Sequence, residues 1–118
     1  MKNILVIEDE NDIMAVVTLI LENEGYKVST MSNADHYKTK LREAHADLVL
    51  LDLNIGGFNG RIICEYIKAH DDLKSIPVIL MSANINAQQI KEECGAEDLI
   101  RKPFDLNYFI GTVKRFAA

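Results

Sequence analysis

Side chains that can bind a cation or a phosphoryl group follow separate apolar runs of this 118-residue sequence. Glu8 and Asp9 follow the first run, Asp52 a later one, Ser82 another and Lys102 the last. Neighbouring carboxylates repel one another and raise each other's pKa unless a cation lies between them. Mg²⁺ suits a small oxygen site of this kind. The sequence therefore predicts a Mg²⁺ site, provided that the fold brings these residues together.

The same residue types could carry phosphoryl transfer. A carboxylate can act as a nucleophile and accept a phosphoryl group as an acyl phosphate. Such a transfer needs mainly positioning and neutralisation of charge on the equatorial oxygens. The cation, the ammonium of Lys102 and the hydroxyl of Ser82 could each bind one of those oxygens. Each residue alone could equally be a loop, cap or surface residue, and only their combination favours chemistry.

The apolar runs that precede these residues are predicted to be strands. Residues 4–7, 48–51 and 77–81 are continuously apolar, which is typical of strands buried on both faces of a parallel sheet. Weaker strands are predicted over residues 26–31 and 98–100.

Segments with helical spacing alternate with these strands. The first is capped by Asn11 and stopped by Gly25, and the others cover about residues 33–45, 59–70 and 86–94, with the last starting near 105. The residues predicted on apolar faces are Ile13, Val16, Val17, Ile20, Leu21, Ala34, Tyr37, Leu41, Ala44, Ile62, Ile63, Tyr66, Ile67, Leu106, Phe109, Ile110, Val113 and Phe116.

This alternation predicts an α/β fold, a (βα)₅ doubly wound domain over residues 1–118. Right-handed crossovers place helices on both faces of a five-stranded parallel sheet, and 2-1-3-4-5 is the natural strand order. In such sheets the functional crevice lies outside the carboxyl ends of the strands, near the switch point between the first and third. The candidate residues all follow strand ends, so we expect them to converge there.

The sequence resembles the receiver domains of two-component signalling along essentially its whole length. The matching pieces are Glu8-Asp9-Glu10, Leu50-Leu51-Asp52-Leu53-Asn54 with Gly60 eight residues beyond Asp52, Met81-Ser82-Ala83, Gly95-Ala96-Glu97-Asp98 and Lys102-Pro103-Phe104. As a set, this signature is highly specific. The resemblance implies that the domain receives a phosphoryl group from a phosphohistidine, changes conformation and regulates a partner or effector.

The resemblance also implies a role for each matching residue. Asp52 would be the phosphoacceptor, and Asp9 would bind Mg²⁺ directly while Glu8 binds it through water. The backbone carbonyl of Asn54 would be a further metal ligand.

On the phosphate side, the resemblance implies that Ser82 binds a phosphoryl oxygen and that Lys102 pairs with the phosphate. Pro103 would form the cis lysine-proline step that is usual in the family. Asn54 and Asn84, two places after Asp52 and Ser82, would flank the path of the attacking water and set part of the lifetime of the acyl phosphate.

Four positions depart from the family pattern. Glu8 replaces the commoner Asp, and Ile55 and Gly56 stand where Met-Pro is usual. The two consecutive glycines, Gly56 and Gly57, are expected to make the loop more permissive. Leu99, three residues before Lys102, replaces the Tyr or Phe that normally changes rotamer as the switch operates. We expect Leu99 to stay inward in both states and the loop after Ser82 to carry the change.

Other classes of function fit the sequence less well. A haloacid-dehalogenase-type phosphatase also uses an Asp nucleophile and Mg²⁺, but that class has a second acid where this chain has Asn54. A pseudo-receiver that only docks partners is expected to lack an acid, the Lys or the phosphoacceptor, and all are present. A flavodoxin-like cofactor binder is expected to have a Gly/Ser/Thr-rich phosphate loop after the first strand, and none follows it.

Composition limits the setting of the domain. The net charge of −5 argues against direct nucleic-acid binding, and no apolar stretch or leader suggests a membrane or secretion. We expect a cytoplasmic domain whose phosphodonor is a sensor histidine kinase or phosphotransfer protein, either free-standing or part of a longer regulator. Cys64 and Cys94 match no metal spacing and are expected to be buried or half-buried free thiols. The remaining candidates, His36, His45 and His70, are expected at the surface.

Overall fold

A computed structural model describes residues 2–117, which form a five-stranded parallel sheet with helices on both faces. The strands are β1 (Asn3–Ile7), β2 (Lys27–Met31), β3 (Leu48–Asp52), β4 (Asn54–Ile55), β5 (Phe58–Asn59), β6 (Val78–Ser82) and β7 (Asp98–Arg101). The helices are α1 (Asn11–Asn23), α2 (Tyr37–Glu43), α3 (Gly60–Ala69), α4 (Ala87–Cys94) and α5 (Leu106–Ala117). The sheet order is β2-β1-β3-β6-β7, while β4 and β5 form a separate hairpin, so the predicted fold and strand order are confirmed.

Alternate residues of the central strands supply two cores. On β1, Leu5 and Ile7 face the core under α2, α3 and α4, whereas Ile4 and Val6 face the core under α1 and α5. All five residues of β3 and of β6 are buried. This burial on both faces explains why these strands are continuously apolar in sequence.

Strand register aligns the carboxyl ends at which the candidate residues lie. Ile7 pairs with Leu51, Asp52 with Met81, and Ser82 with Arg101. The last residues of β3 and β6 and the residues that follow β1 and β7 therefore lie at the same edge of the sheet.

Two predicted helix starts were wrong. The second helix begins at Tyr37 rather than near residue 33, because His36 before it has a left-handed backbone with φ of 57°. Asn11 is the first residue of α1 rather than its cap, and Glu10 takes the cap position without a side-chain hydrogen bond.

Three residues predicted to be buried on apolar helix faces are exposed. Val16 of α1 is 53% exposed, Ile62 of α3 is 44% exposed and Leu106 of α5 is 51% exposed. The remaining residues of those predicted stripes are buried or pack against the cores.

The predicted thiol state is confirmed, because Cys64 and Cys94 are both free and buried. His36 and His45 are exposed as expected, but His70 is half-buried and lies 3.9 Å from Tyr66 between ring centroids. Within residues 2–117, no helix is long and apolar enough to cross a membrane.

Candidate functional site at the strand ends

Three carboxylates meet where β1 and β3 end. Each of Glu8, Asp9 and Asp52 offers one oxygen, and these oxygens lie within 4.8 Å of one another. Glu8 is fully buried, Asp52 is 7% exposed and Asp9 is half-buried. An all-oxygen set of this kind is the donor chemistry that Mg²⁺ takes, so the residues fit the predicted metal.

Burial makes the charged form of Glu8 costly in the absence of a cation. The pKa of Glu8 is raised to about 7, chiefly by removal from water and next by a hydrogen bond with Asp52. Lys102 and the backbone N–H of Glu10, which donates to Glu8 Oε2 over 3.2 Å, act in the opposite direction. The site is therefore short of positive charge, which a bound cation would supply.

Lys102, directly after β7, provides the cationic side chain of the site. Its ammonium donates to Glu8 Oε1 at 2.5 Å and to Asp52 Oδ2 at 3.3 Å. Burial acts to lower the pKa of Lys102, but the hydrogen bond to Glu8 and the charge of Asp52 outweigh it and raise that pKa. The Lys102–Pro103 peptide is cis, as the resemblance implied.

The hairpin of β4 and β5 holds Asp9. Gly56 and Gly57 form its two-residue turn with φ of 57° and 87°, the positive values that a type I′ turn requires. The backbone N–H of Gly56 donates to Asp9 Oδ2 at 2.9 Å. The two glycines therefore form an ordered turn in contact with the acidic pair.

Gly60 lets α3 start directly against β3. Its N–H donates to the carbonyl of Leu53 at 2.8 Å. A Cβ atom at this position would lie only 2.2 Å from the backbone carbonyl oxygen of Asp52. The glycine eight residues beyond Asp52 is therefore a close-approach residue that fixes the backbone of the candidate phosphoacceptor.

Ser82 and Asn84 form the opposite wall of the site. Ser82, at the end of β6, is 5% exposed, and its hydroxyl oxygen accepts from the N–H of Asn84 at 2.9 Å. The backbone N–H of Lys102 donates to the carbonyl of Ser82 at 3.1 Å, which joins the ends of β6 and β7.

Leu99 lies in the core rather than at the surface. It is 7% exposed, pairs with Leu80 across β6 and β7, and packs in the core under α3 and α4. The Tyr108 hydroxyl of α5 is 3.5 Å from the Leu99 carbonyl oxygen. The inward position expected of Leu99 is therefore present in this structure.

One cleft brings almost all the predicted site residues together. Its walls are formed by Asp9, Glu10, Asp52, Leu53, Asn54, Ser82, Ala83, Asn84 and Lys102. Glu8 does not line the cleft but is hydrogen-bonded to Lys102, which does. Leu99 and Pro103 lie outside the cleft. The sequence did not predict that Gly56 holds Asp9 or that Lys102 contacts Glu8; the Gly-Gly pair was the available signal for the hairpin.

Comparison with known proteins agrees with the geometry. The family described as response regulator receiver domain matches residues 4–114. The DNA-binding response regulator MtrA of Mycolicibacterium paratuberculosis is 30% identical over 115 residues, covering 96% of this chain and 50% of that protein. The chain therefore spans about half the length of the curated relatives it matches.

Solved receiver structures share the fold. The signal receiver domain of a histidine kinase from Syntrophus aciditrophicus has a TM-score of 0.89 and 29% identity, covering 99% of this chain and 90% of that one. The receiver domain of sensor histidine kinase PA1611 from Pseudomonas aeruginosa, solved with a magnesium ion in its active site cleft, has a TM-score of 0.88. That likeness covers 98% of this chain and 97% of that one at 21% identity, and it shows the fold.

Proposed function

The chain belongs to the response regulator receiver domain family of two-component signalling, and on that premise we propose that Asp52 accepts a phosphoryl group in a Mg²⁺-dependent reaction. The observation that carries the proposal is the convergence of Glu8, Asp9 and Asp52 within 4.8 Å, with Lys102 against two of them. We further propose that residues 1–118 form one receiver domain, since both cores draw on strands from the whole chain.

The proposed reaction is a direct transfer from a phosphohistidine. A carboxylate oxygen of Asp52 forms a bond to phosphorus, the phosphorus–nitrogen bond breaks, and the imidazole leaves with the electron pair. Response regulators partner with histidine kinases, and we propose a histidine kinase or phosphotransfer protein as the donor for this chain.

Mg²⁺ would be held by Asp9, Asp52 and the backbone carbonyl of Asn54, with Glu8 bound through water. When bound, the ion neutralises negative charge on the carboxylates and on the phosphoryl oxygens. Asp9 is suited to direct ligation because it is only half-buried and Gly56 engages just one of its oxygens. Glu8 is less available, since Lys102 and Glu10 each hold one of its oxygens.

Lys102 and Ser82 would bind the transferred group. The ammonium of Lys102 already lies 3.3 Å from Asp52 Oδ2, so it can follow the charge onto the phosphoryl oxygens. The Ser82 hydroxyl lies at the cleft wall and can donate to another of those oxygens. The resulting change would pass to a partner or effector through the loop after β6.

Labelling with a small phosphodonor tests the proposal. Incubation with acetyl phosphate and Mg²⁺ should add one acid-stable, base-labile phosphoryl group, measured by intact mass. Asp52→Asn should abolish labelling, whereas Asp71→Asn should not, because the Asp71 side chain is 96% exposed and remote from the cleft. Unchanged labelling of the Asp52 variant would refute the proposal, and no labelling of the wild-type chain would favour a docking pseudo-receiver.

A further inference from the structure

The buried cysteines meet where α3 packs against α4. The Cys64 Sγ donates to the Cys94 carbonyl oxygen at 3.5 Å, although the residues are 30 positions apart in sequence. Cys64 is fully buried in the middle of α3, and Cys94, the last residue of α4, is 4% exposed. The receiver chemistry proposed for Asp52 uses neither thiol.

The two thiols also influence each other's ionisation. A hydrogen bond with Cys64 lowers the pKa of Cys94 to about 7, against the opposing effect of burial. The same hydrogen bond, together with burial, raises the pKa of Cys64. Cys94 is the expected nucleophile because it lies at the end of α4, whereas Cys64 lies fully buried in the middle of α3. The lowered pKa of Cys94 favours the same order, since thiolate is the reactive form of cysteine.

Few apolar groups hold α4 in place. Ala87 and Cys94 are its only buried residues, Ile90 is half-buried, and most of its other side chains are exposed. Elements with so little apolar burial open locally at low free-energy cost. Local opening at the end of α4 would expose Cys94 to a small reagent before Cys64, which is fully buried in the middle of α3.

We propose that Cys64 and Cys94 are a redox modification site that forms a reversible disulfide when hydrogen peroxide oxidises Cys94. The Cys94 thiolate attacks the peroxide, breaks the oxygen–oxygen bond and becomes a sulfenic acid as hydroxide leaves. Cys64 then attacks that sulfur, its proton leaves with the departing hydroxyl as water, and the disulfide forms. In total, two thiols and one peroxide give one disulfide and two waters.

The disulfide fastens the end of α4 to α3. It restricts the opening of α4 that exposes Cys94, because the new covalent bond joins that helix end to a residue held in the core. A thiol reductant restores both cysteines and releases the helix. The disulfide would restrain α4, the helix that follows the loop after Ser82. Oxidation and phosphorylation would therefore act on neighbouring parts of the chain.

Oxidation of the folded, unphosphorylated protein tests the site. After peroxide treatment and alkylation of remaining thiols, peptide mapping should find Cys64 linked to Cys94 within one chain, and dithiothreitol should reverse the link. Hydrogen exchange of the α4 amides should slow about tenfold or more in the oxidised form. A Cys94 sulfinic acid with Cys64 free, a disulfide between two chains, or no oxidation would each overturn the proposal.

Single variants identify the order of the two steps. In Cys64→Ser, dimedone should trap a sulfenic acid on Cys94, since the second thiol is absent. In Cys94→Ser, the buried Cys64 should not react. Circular dichroism checks that both variants fold, and the wild-type mapping decides the proposal if either does not. Because Asp52 has no part in these measurements, their outcome is independent of the proposed phosphoryl transfer.

Discussion

Gly60→Ala should destabilise the domain through a steric contact with the strand that carries Asp52. The backbone φ of Gly60 is not positive, so only the space around the residue opposes a side chain. The added Cβ would lie 2.2 Å from the carbonyl oxygen of Asp52 and 3.0 Å from the Cα of Leu53. Both are backbone atoms, and β3 is held between β1 and β6, so neither can simply rotate away.

The expected magnitude follows from two opposing effects. Insertion of an extra carbon into a filled space costs about 1–3 kcal/mol, and contact with two backbone atoms indicates the upper end. Replacing glycine by alanine in a helix gains about 0.5–1 kcal/mol from backbone entropy. We therefore expect the free energy of unfolding of Gly60→Ala to fall by about 2 kcal/mol.

Gly111→Ala is the matched control, since within residues 2–117 its added Cβ would meet no atom within 4 Å beyond its own stretch of helix, and it occupies the interior of α5. Urea denaturation should show this variant to be more stable by about 0.5–1 kcal/mol. The acetyl phosphate labelling rate should fall in Gly60→Ala alone, because the displacement falls on the backbone of Asp52. Equal unfolding free energies for the two alanine variants would refute the steric reasoning.

Three further outcomes are expected. Asp9→Asn should weaken Mg²⁺ binding in calorimetric titration more than Glu8→Gln does, because Glu8 is already engaged by hydrogen bonds; a larger loss in Glu8→Gln would contradict the proposed ligand roles. Asn84→Leu should lengthen the lifetime of the acyl phosphate, measured by its hydrolysis after donor removal, and an unchanged lifetime would show that water approaches elsewhere. Leu99 should stay buried in a structure with beryllofluoride bound, whereas outward-to-inward movement between the free and bound structures would restore the usual relay.

The sheet and the placement of the site residues could be predicted from the sequence because both depend on one physical requirement. Strands buried on both faces must be continuously apolar, and 48–51 and 77–81 stand out for that reason. The strand register then places the polar residues at or just after the strand ends along the same edge of the sheet.

The sequence could not predict exactly which side of each helix is buried, because helical spacing does not define where the centre of the buried stripe lies. On α1 the buried side is centred near Val17 and Leu21, about 120° around the helix from Val16. On α3 it is centred on Ile63, Cys64 and Ile67, so Ile62 lies well away from it. These offsets depend on how each helix lies across the sheet.

Contacts between residues of distant segments could not be predicted from the sequence either. The pairing of Lys102 with Glu8 joins residues 94 positions apart and depends on the depth to which Glu8 is buried. The contact of Gly56 with Asp9 depends on a hairpin whose strands are two residues long, too short for any periodicity to indicate.

The backbone hydrogen bond from Lys102 to Ser82 has a mechanical consequence. Ser82 and Lys102 are both proposed to bind phosphoryl oxygens, and this hydrogen bond links their backbones. A displacement of the end of β6 would therefore also move the end of β7. Such a transfer of displacement through the backbone is compatible with the expectation that Leu99 keeps its inward position. A substitution of the Lys102 side chain would remove its contact with the phosphoryl group but keep this link, because the hydrogen bond uses the backbone N–H of residue 102.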